Sequence, residues 1–187
     1  AEKGTDMSMH IDMNSDLGES FSSWVMGDDD AVLQSVSSAN VACGFHAGDP
    51  QIMRKTVALC KKNGVAVGAH VSYPDLQGFG RRNMGCSPEE VYTDCLYQLG
   101  ALQAFCAVEG LTLQHVKPHG AMYNQAAKDR AMADAIAAAV KDAGKGIILM
   151  GLPNTEAEKA AVARGVPLAS HDSAARAQRK AGPPRPP

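Results

Sequence analysis

The sequence predicts an α/β fold built on a mainly parallel sheet, either open or closed into a barrel. Short β-rich segments alternate with longer segments of helical periodicity along the 187-residue chain, and the connections between them are short. Polar side chains accumulate after the strand candidates, where parallel α/β folds bind their ligands. An apolar fraction of 45% with 20% charged residues is that of an ordinary globular domain.

The alternation is predicted from hydrophobic patterns and from helix start and stop signals. Strands are predicted at residues 10–15, 40–45, 65–70, 113–118, 146–150 and 166–169. Helices are predicted at residues 28–35, 50–63, 87–109, 128–143 and 155–164. Asp49-Pro50 and Ser87-Pro88 each supply a cap and a first turn, and Gly64 follows a helix end.

One domain is predicted over residues 9–170. Residues 1–8 are polar and are interpreted as an N-terminal extension. Residues 171–187 are basic, lack large apolar side chains and end in proline, so we expect a solvated or polyproline tail. Such a tail leaves the sheet open at one edge, and an exposed edge invites pairing with another chain, which is compatible with a homodimer.

Composition and missing motifs narrow the function classes. A net charge of −2 without a basic, aromatic-rich stripe argues against nucleic acid as a partner. No run of about 18 apolar residues suits a membrane span, and five irregularly spaced cysteines without a CxxC pair favour a reducing cytoplasm. The absence of GxxxxGKS/T, GxGxxG and GxSxG patterns argues against an autonomous NTPase, a dinucleotide enzyme and a serine hydrolase.

The first polar stretch is "IDMNSDLGES", residues 11–20. Side chains alternate across a strand, so Asp12, Asn14 and, if the extended form persists, Asp16 share one face. Such a row suits a divalent cation or proton transfer. In the alternative, Asp16 and Glu19 begin the following turn and Asp12 alone points inward, where a carboxylate without solvent is costly. We expect Asp12 to be catalytic and Asn14 to contact substrate.

The second polar stretch, "NVACGFHAGDP", surrounds His46 with small residues. Small residues let the backbone approach a ligand and leave its amides free to donate hydrogen bonds. We expect His46 to be catalytic, and the helix beginning at Asp49-Pro50 to direct its positive end toward the same space. Cys43 is interpreted as a packing residue, with a nucleophile as the alternative.

The third polar stretch, "GAHVSYPDLQGFGRR", ends a strand on His70 and enters a loop that contains several glycines. A flexible loop beside guanidinium groups suits the capture of a carboxylate or phosphate. We expect His70, Tyr73 and Arg81 to contact substrate, whereas Arg82 is expected to contact only water.

The fourth polar stretch, "HVKPHGAMYN", places His115, Lys117 and His119 on one face, with the last two nearest the mouth of the pocket. A lysine in a partly dry pocket can pair with a carboxylate, stabilise an oxyanion or transfer a proton. His119 suits metal binding or general acid–base chemistry. Asn124 is expected to contact substrate, and the deeper His115 is interpreted as a hydrogen-bonded core residue.

A divalent metal is a further hypothesis from these stretches. The candidate ligands are Asp12, His46, His70 and His119. They lack the compact spacing of an HExxH motif, so the sequence leaves open whether a metal binds.

The stretches "DMNSDLGES", "SSANVACGFHAGDP", "GAHVSYPDLQGFGRR" and "LQHVKPHGAMYNQAAKD", in this order, closely resemble the LamB/YcsF family over about residues 9–170. The resemblance implies a (β/α) barrel of the glycoside hydrolase/deacetylase type. The family is described as the A component of the prokaryotic 5-oxoprolinase. This implies ATP-dependent hydrolysis of the lactam 5-oxo-L-proline to L-glutamate, performed together with subunits B and C.

That activity implies roles for the polar residues. Asp12 or His46 would activate water, and Lys117 and His119 would stabilise the developing oxyanion. Arg81 would bind the substrate carboxylate, and ATP would be a co-substrate that phosphorylates the lactam oxygen.

The chain departs from the family after "GVPLAS", where an acidic-aromatic segment is replaced by "HDSAARAQRKAGPPRPP". We therefore expect a C-terminally truncated or altered member whose barrel is incomplete at that end. Two other functions remain open. One is a stand-alone metal-dependent deacetylase or amidohydrolase, and the other is an inactive binding or scaffold protein.

Overall fold

A six-stranded parallel sheet forms the centre of the computed structural model, which describes residues 11–170. The strands are β1 (Asn14–Leu17), β2 (Ser38–Ala42), β3 (Ala66–His70), β4 (His115–Val116), β5 (Ile148–Gly151) and β6 (Leu168–Ser170). Every strand pairs in parallel with the next one along the chain. The predicted parallel α/β fold is therefore confirmed. The predicted extension at residues 1–8 and the predicted tail at residues 171–187 lie outside the described residues.

Helices connect successive strands. They are α1 (Asp29–Val32), α2 (Pro50–Asn63), α3 (Pro88–Val108), α4 (Gly120–Ala126), α5 (Arg130–Ala143) and α6 (Glu156–Arg164). The five predicted helices are confirmed, whereas α4 was not predicted because its seven residues are too few to show a helical period. None of the helices described is long and apolar enough to cross a membrane.

Local caps set the helix boundaries that the sequence predicted. The Asp49 side chain accepts hydrogen bonds from two backbone amides in the first turn of α2, and Gly64 ends this helix in the left-handed conformation. Ser87 and Glu90 form a reciprocal capping box at the start of α3. These interactions involve residues close in sequence, so the boundaries follow from the sequence itself.

The apolar core lies between the helices and the outer face of the sheet. Leu99 and Leu102 of α3 and Ile136 of α5 are buried there, against strand residues such as Val67 and Val116. Full burial of each such side chain contributes about 1.5–3 kcal/mol. This packing holds the helices on one side and leaves the inner face of the sheet to polar side chains.

The sheet is curled into a half-barrel. In a flat sheet, β1 and β4 would lie roughly 14 Å apart, yet Lys117 Nζ after β4 lies 2.7 Å from Asp16 Oδ1 on β1. His115 on β4 reaches Asn40 on β2, with 2.7 Å between Nε2 and Oδ1, by passing over Gly68 of β3. Within residues 11–170 no hydrogen-bonded ladder joins β6 to β1, so the half-barrel stays open there.

The predicted first strand, residues 10–15, was placed too early. β1 spans Asn14–Leu17, and the apolar residues Ile11 and Met13 before it are largely exposed. The inner face of β1 carries polar side chains, so the hydrophobic pattern did not indicate the position of the strand. The shift of the strand changes which carboxylates lie at its carboxyl end.

Candidate active site

Four side chains meet at the carboxyl edge of the half-barrel. Glu19, His46, His70 and His119 each offer one ligand atom, and these atoms lie within 4.8 Å of one another. We call these four residues the carboxyl-edge cluster. Glu19, His46 and His119 follow β1, β2 and β4, and His70 is the last residue of β3. All three histidines are buried. The structure therefore brings together three predicted site residues with a carboxylate that was not in the predicted set.

His70 and His119 face each other at the centre of the cluster. His70 Nε2 lies 3.0 Å from His119 Nδ1, and the two rings are edge to face. The other nitrogens contact the main chain: His70 Nδ1 lies 2.8 Å from the carbonyl oxygen of Lys117, and His119 Nε2 lies 2.8 Å from that of Phe79. Both rings are thus held at each end.

His46 and Glu19 form the side of the cluster nearest the groove. His46 Nε2 lies 3.0 Å from Glu19 Oε1, and its ring stacks on His119 with centroids 3.8 Å apart. Burial lowers the pKa of His46, although the Glu19 hydrogen bond opposes this effect. Burial, together with the neighbouring His46 and His70, lowers the pKa of His119 to about 3.

Asp16 and Lys117 form an ion pair beside the cluster. Lys117 Nζ lies 2.7 Å from Asp16 Oδ1, and the Lys117 side chain is 13% exposed. Asp16 Oδ2 also lies 3.3 Å from His70 Nε2. Burial opposes ionisation of Asp16, but hydrogen bonds and charge from His70 and Lys117 hold its pKa well below the ordinary range. Asp16 is therefore an ionised carboxylate at the mouth.

Two further polar layers lie below the cluster, toward the amino ends of the strands. We call the first of them, consisting of Asn14, Asn40 and His115, the middle layer. The Asn14 and Asn40 amides bond to each other, and Asn40 Oδ1 lies 2.7 Å from His115 Nε2. Asn14, predicted to contact substrate, is thus bonded within the middle layer.

Asp12 lies in the lowest layer, at the amino end of the sheet. It is exposed and accepts hydrogen bonds from the hydroxyls of Ser37 and Ser38. The expectation that Asp12 points inward as a base or metal ligand is therefore corrected, because the late start of β1 puts it before the strand. Asp16 and Glu19, which were placed in the turn in one of the sequence interpretations, take the positions beside the histidines.

An open groove leads to the cluster. It has a volume of about 370 Å³, and Glu19 and the buried His46 are among its lining residues. Its other lining residues are Phe21, Trp24, Val25, Met26, Ala47, Leu76, Gln77 and Phe79. A small molecule with one polar and one apolar side suits this space.

The two arginines after β3 have different surroundings. Arg81 is exposed and lies 5.5 Å from the centroid of the Phe79 ring, which lines the groove. Among residues 11–170, no carboxylate pairs with Arg81. Arg82 was expected to contact only water, which is wrong, because it pairs with the buried carboxylate of Asp75.

Two residues predicted to contact substrate lie away from the cluster. Tyr73 is fully buried in the apolar core, and burial raises the pKa of its hydroxyl to about 12. Asn124 is exposed on α4 and donates a hydrogen bond to the carbonyl oxygen of Gly120. The structure therefore corrects Tyr73 to a core residue, and it places Asn124 on a helix rather than at a strand end.

Cys43 is a packing residue. Its thiol is buried and hydrogen-bonded to the carbonyl oxygen of Val41. Burial raises the pKa of this thiol to about 12, which removes the thiolate that a nucleophile requires.

The predicted site residues did not include Glu19, and Asp16 was considered only as part of an extended row with Asp12 and Asn14. The available signal was Gly18, which has a φ of 69° and ends β1. A glycine that turns the chain immediately after a strand carries the following residues over the carboxyl edge.

The fold and the cluster together define an α/β half-barrel protein with a histidine–carboxylate site at the carboxyl edge of its sheet. Comparison with known proteins makes this more specific: the LamB/YcsF family matches residues 11–183. The chain belongs to this family, as its motifs indicated.

Named relatives are similar over most of this chain. The 5-oxoprolinase A component of Bacillus subtilis is 56% identical over 160 residues, and that of Symbiobacterium thermophilum is 54% identical over 156 residues. The matches cover 86% and 83% of this chain but only 62% and 60% of those relatives. The chain thus spans about three fifths of their length.

A solved structure shows the same fold. The crystal structure of a lactam utilization protein from Thermus thermophilus superposes with a TM-score of 0.85 at 52% sequence identity. The match covers 87% of this chain and 66% of that one. The (β/α) barrel type implied by the family resemblance is therefore confirmed, as a half-barrel over the described residues.

Proposed function

We propose that the chain is the A component of a 5-oxoprolinase, which hydrolyses the cyclic amide 5-oxo-L-proline to L-glutamate with subunits B and C and with ATP as co-substrate. The observation that carries the proposal is 52–56% identity to proteins named as the 5-oxoprolinase A component and to a lactam utilization protein. The family match also spans every residue of the carboxyl-edge cluster.

The groove supports a small, polar substrate. Its lining includes Glu19 and His46, against which a lactam amide would find hydrogen-bonding groups. Arg81 is free of carboxylate partners among the described residues and lies beside the groove wall at Phe79. It is our candidate for binding the substrate carboxylate, since a guanidinium matches that group with two hydrogen bonds.

The cluster supports activation of water. Glu19 accepts from His46 at 3.0 Å, and this pair opens into the groove. A buried neutral imidazole next to a carboxylate can take a proton from water, and the carboxylate stabilises the imidazolium that results. We therefore assign the base to the Glu19–His46 pair, in place of Asp12.

Lys117 supports stabilisation of the developing negative charge. Its ammonium is mostly buried and lies against the ionised Asp16 at 2.7 Å. An oxyanion that forms nearby can take over part of the interaction with this ammonium. We assign ATP binding to the partner proteins, because the sequence contains no phosphate-loop motif.

Glutamate production by this chain mixed with intact subunits B and C, with and without ATP, tests the proposal. We expect ATP-dependent glutamate. Binding of 5-oxoproline is measured in parallel by the fluorescence of Trp24, the only tryptophan of the sequence, which lines the groove. The proposal would be contradicted if a cooperatively folded chain gave no glutamate and also showed no fluorescence change with 5-oxoproline.

A stand-alone metal-dependent deacetylase or amidohydrolase is the second candidate. The grouping of three histidines and Glu19 favours it, because such sets bind metals in hydrolases. Lactam or amide hydrolysis without ATP and without partner proteins would select this function. Binding of 5-oxoproline with no turnover under any condition would select the binding or scaffold protein.

A further inference from the structure

We propose that Glu19, His46, His70 and His119 bind one divalent transition-metal ion, for which Zn²⁺ is the best match. The site rests on the positions of the four side chains and does not depend on the function proposed above. With an ion bound, Glu19 and His46 would be ligands, so the role of base assigned to this pair applies to the metal-free chain. Glu19 takes the place that the sequence interpretation gave to Asp12.

The main chain selects the tautomers of His70 and His119. His70 Nδ1 lies 2.8 Å from the carbonyl oxygen of Lys117, and His119 Nε2 lies 2.8 Å from that of Phe79. A carbonyl oxygen only accepts, so each of these nitrogens carries the ring proton. In the neutral rings, His70 Nε2 and His119 Nδ1 are therefore both unprotonated.

These two unprotonated nitrogens lie 3.0 Å apart. Their lone pairs repel each other unless a positive charge lies between or beside them. Histidine ligands of metals commonly donate the other ring N–H to a carbonyl or carboxylate, which is the arrangement of both rings here. A cation shared by the two nitrogens therefore accounts for their approach.

The other two donors complete a tetrahedral set. Glu19 Oε1 lies 3.0 Å from His46 Nε2 and 3.8 Å from His119 Nδ1. A tetrahedral ion with bonds of about 2.0–2.1 Å spaces its ligand atoms roughly 3.3–3.4 Å apart. The four donor atoms lie within 4.8 Å of one another, so the side chains would have to close around the ion. Three imidazoles with one carboxylate favour Zn²⁺ and its transition-row neighbours over Mg²⁺ or Ca²⁺.

His46 is able to join this set as a neutral donor. Its Nδ1 is buried and has no hydrogen-bond partner among residues 11–170. In this arrangement Nε2 carries the proton and donates it to Glu19. Because Nδ1 has no acceptor or donor beside it within the described residues, the proton can move to Nδ1, and Nε2 is then able to bind a metal together with Glu19.

Metal binding by the 187-residue chain tests the proposal directly. After removal of metal with a chelator, the chain is equilibrated with Zn²⁺ or Co²⁺ by dialysis, and bound metal is measured by elemental analysis. We expect one equivalent, a Co²⁺ absorption spectrum typical of tetrahedral coordination, and a rise in Tm on binding. No stoichiometric binding by the folded chain would overturn the proposal and assign a shared proton to the two nitrogens.

Variants distinguish the cluster from adventitious binding. His70→Gln and Glu19→Gln should each weaken Co²⁺ binding on the order of 100-fold and change its spectrum. His115→Gln removes a buried histidine of the middle layer and should leave binding unchanged. Unchanged affinity in His70→Gln or Glu19→Gln would contradict the assignment. Glu19 lies at the rim with its side chain 16% exposed, so its variant remains informative if His70→Gln fails to fold.

Discussion

The carboxyl-edge cluster and the middle layer both contain buried histidines, but the histidines have different partners. In the middle layer, His115 lies 2.7 Å from Asn40 Oδ1 and 3.1 Å from Gln114 Oε1. A side-chain amide can turn to offer either its oxygen or its NH₂ group, so the neutral His115 ring can be satisfied at both nitrogens. In the cluster, His70 and His119 contact main-chain carbonyls, which cannot exchange roles.

This difference separates a structural histidine from a candidate ligand. Burial alone does not, since His115, His70 and His119 are all buried. Burial lowers the pKa of His115 to about 4, so this ring is neutral at physiological pH and its hydrogen bonds are complete without a cation. In the cluster, by contrast, the neutral tautomers that the main chain favours would place two unprotonated nitrogens opposite each other.

The largest effect is expected at the carboxyl edge, from Lys117→Met. This variant removes the cation that pairs with Asp16, and with it the group assigned to the developing oxyanion. We expect glutamate production in the reconstituted complex to fall on the order of 100-fold or more. Lys128→Met, at an exposed position after α4, is the matched control. Near-normal turnover in Lys117→Met would remove this lysine from the proposed mechanism.

Substitutions at the middle layer are expected to lower the free energy of unfolding, and Gly68→Ala should show this most clearly. A Cβ at this position would overlap the His115 ring, which crosses β3 there and is held by Asn40. We expect a loss of about 1–3 kcal/mol in the free energy of unfolding, measured by urea denaturation.

The control for this variant is Gly100→Ala. Gly100 lies within α3 and a Cβ there meets no atom within 4 Å, so the substitution should stabilise the chain by about 0.5–1 kcal/mol. If Gly68→Ala were as stable as the unmodified chain, His115 would not cross β3 as described.

A smaller effect, on the pH dependence of stability, is expected from Asp75. This carboxylate accepts hydrogen bonds from Gly78 and Arg82 in the loop after β3. Its hydrogen bond with Arg82 holds the pKa of this carboxyl below its usual value. The stabilisation is therefore present above the unfolded pKa of about 3.9 and is lost as the pH falls through the lower folded value. Asp75→Asn should flatten the acid side of a plot of Tm against pH, and Asp30→Asn, at an exposed position, should not. Identical curves for Asp75→Asn and the unmodified chain would exclude this linkage.

The smallest effect on turnover is expected from substitution of Cys43. This residue lies close to the cluster in sequence but packs in the core. Since its thiol has a pKa of about 12, we expect no alkylation of Cys43 by iodoacetamide at pH 8 until the chain unfolds. The partly exposed Cys86 should react first, and peptide mass analysis distinguishes the two. Cys43→Ala should leave turnover unchanged, and loss of turnover in that folded variant would restore a catalytic role for the thiol.

The predictions from sequence were most accurate where a few neighbouring residues decide the structure. Helix α2 spans Pro50–Asn63, the predicted range, because Asp49, Pro50 and Gly64 mark its ends through local bonds and backbone angles. The motif order likewise indicated the family and placed His46, His70 and Lys117 at the carboxyl edge. These properties follow from residue types and short spacings.

What required the tertiary structure is the choice among the carboxylates. Asp12, Asp16 and Glu19 lie within eight positions of one another, and alternation along a strand does not tell which one reaches the histidines. The curl of the sheet and the turn at Gly18 bring Glu19 to His46 and leave Asp12 with two serines at the opposite end. The parallel α/β fold and the residue types of the site could be inferred from hydrophobic patterns, helix caps and motifs alone. Only the packing of distant strands decided which side chains meet, because contacts across a curled sheet join residues up to 101 positions apart.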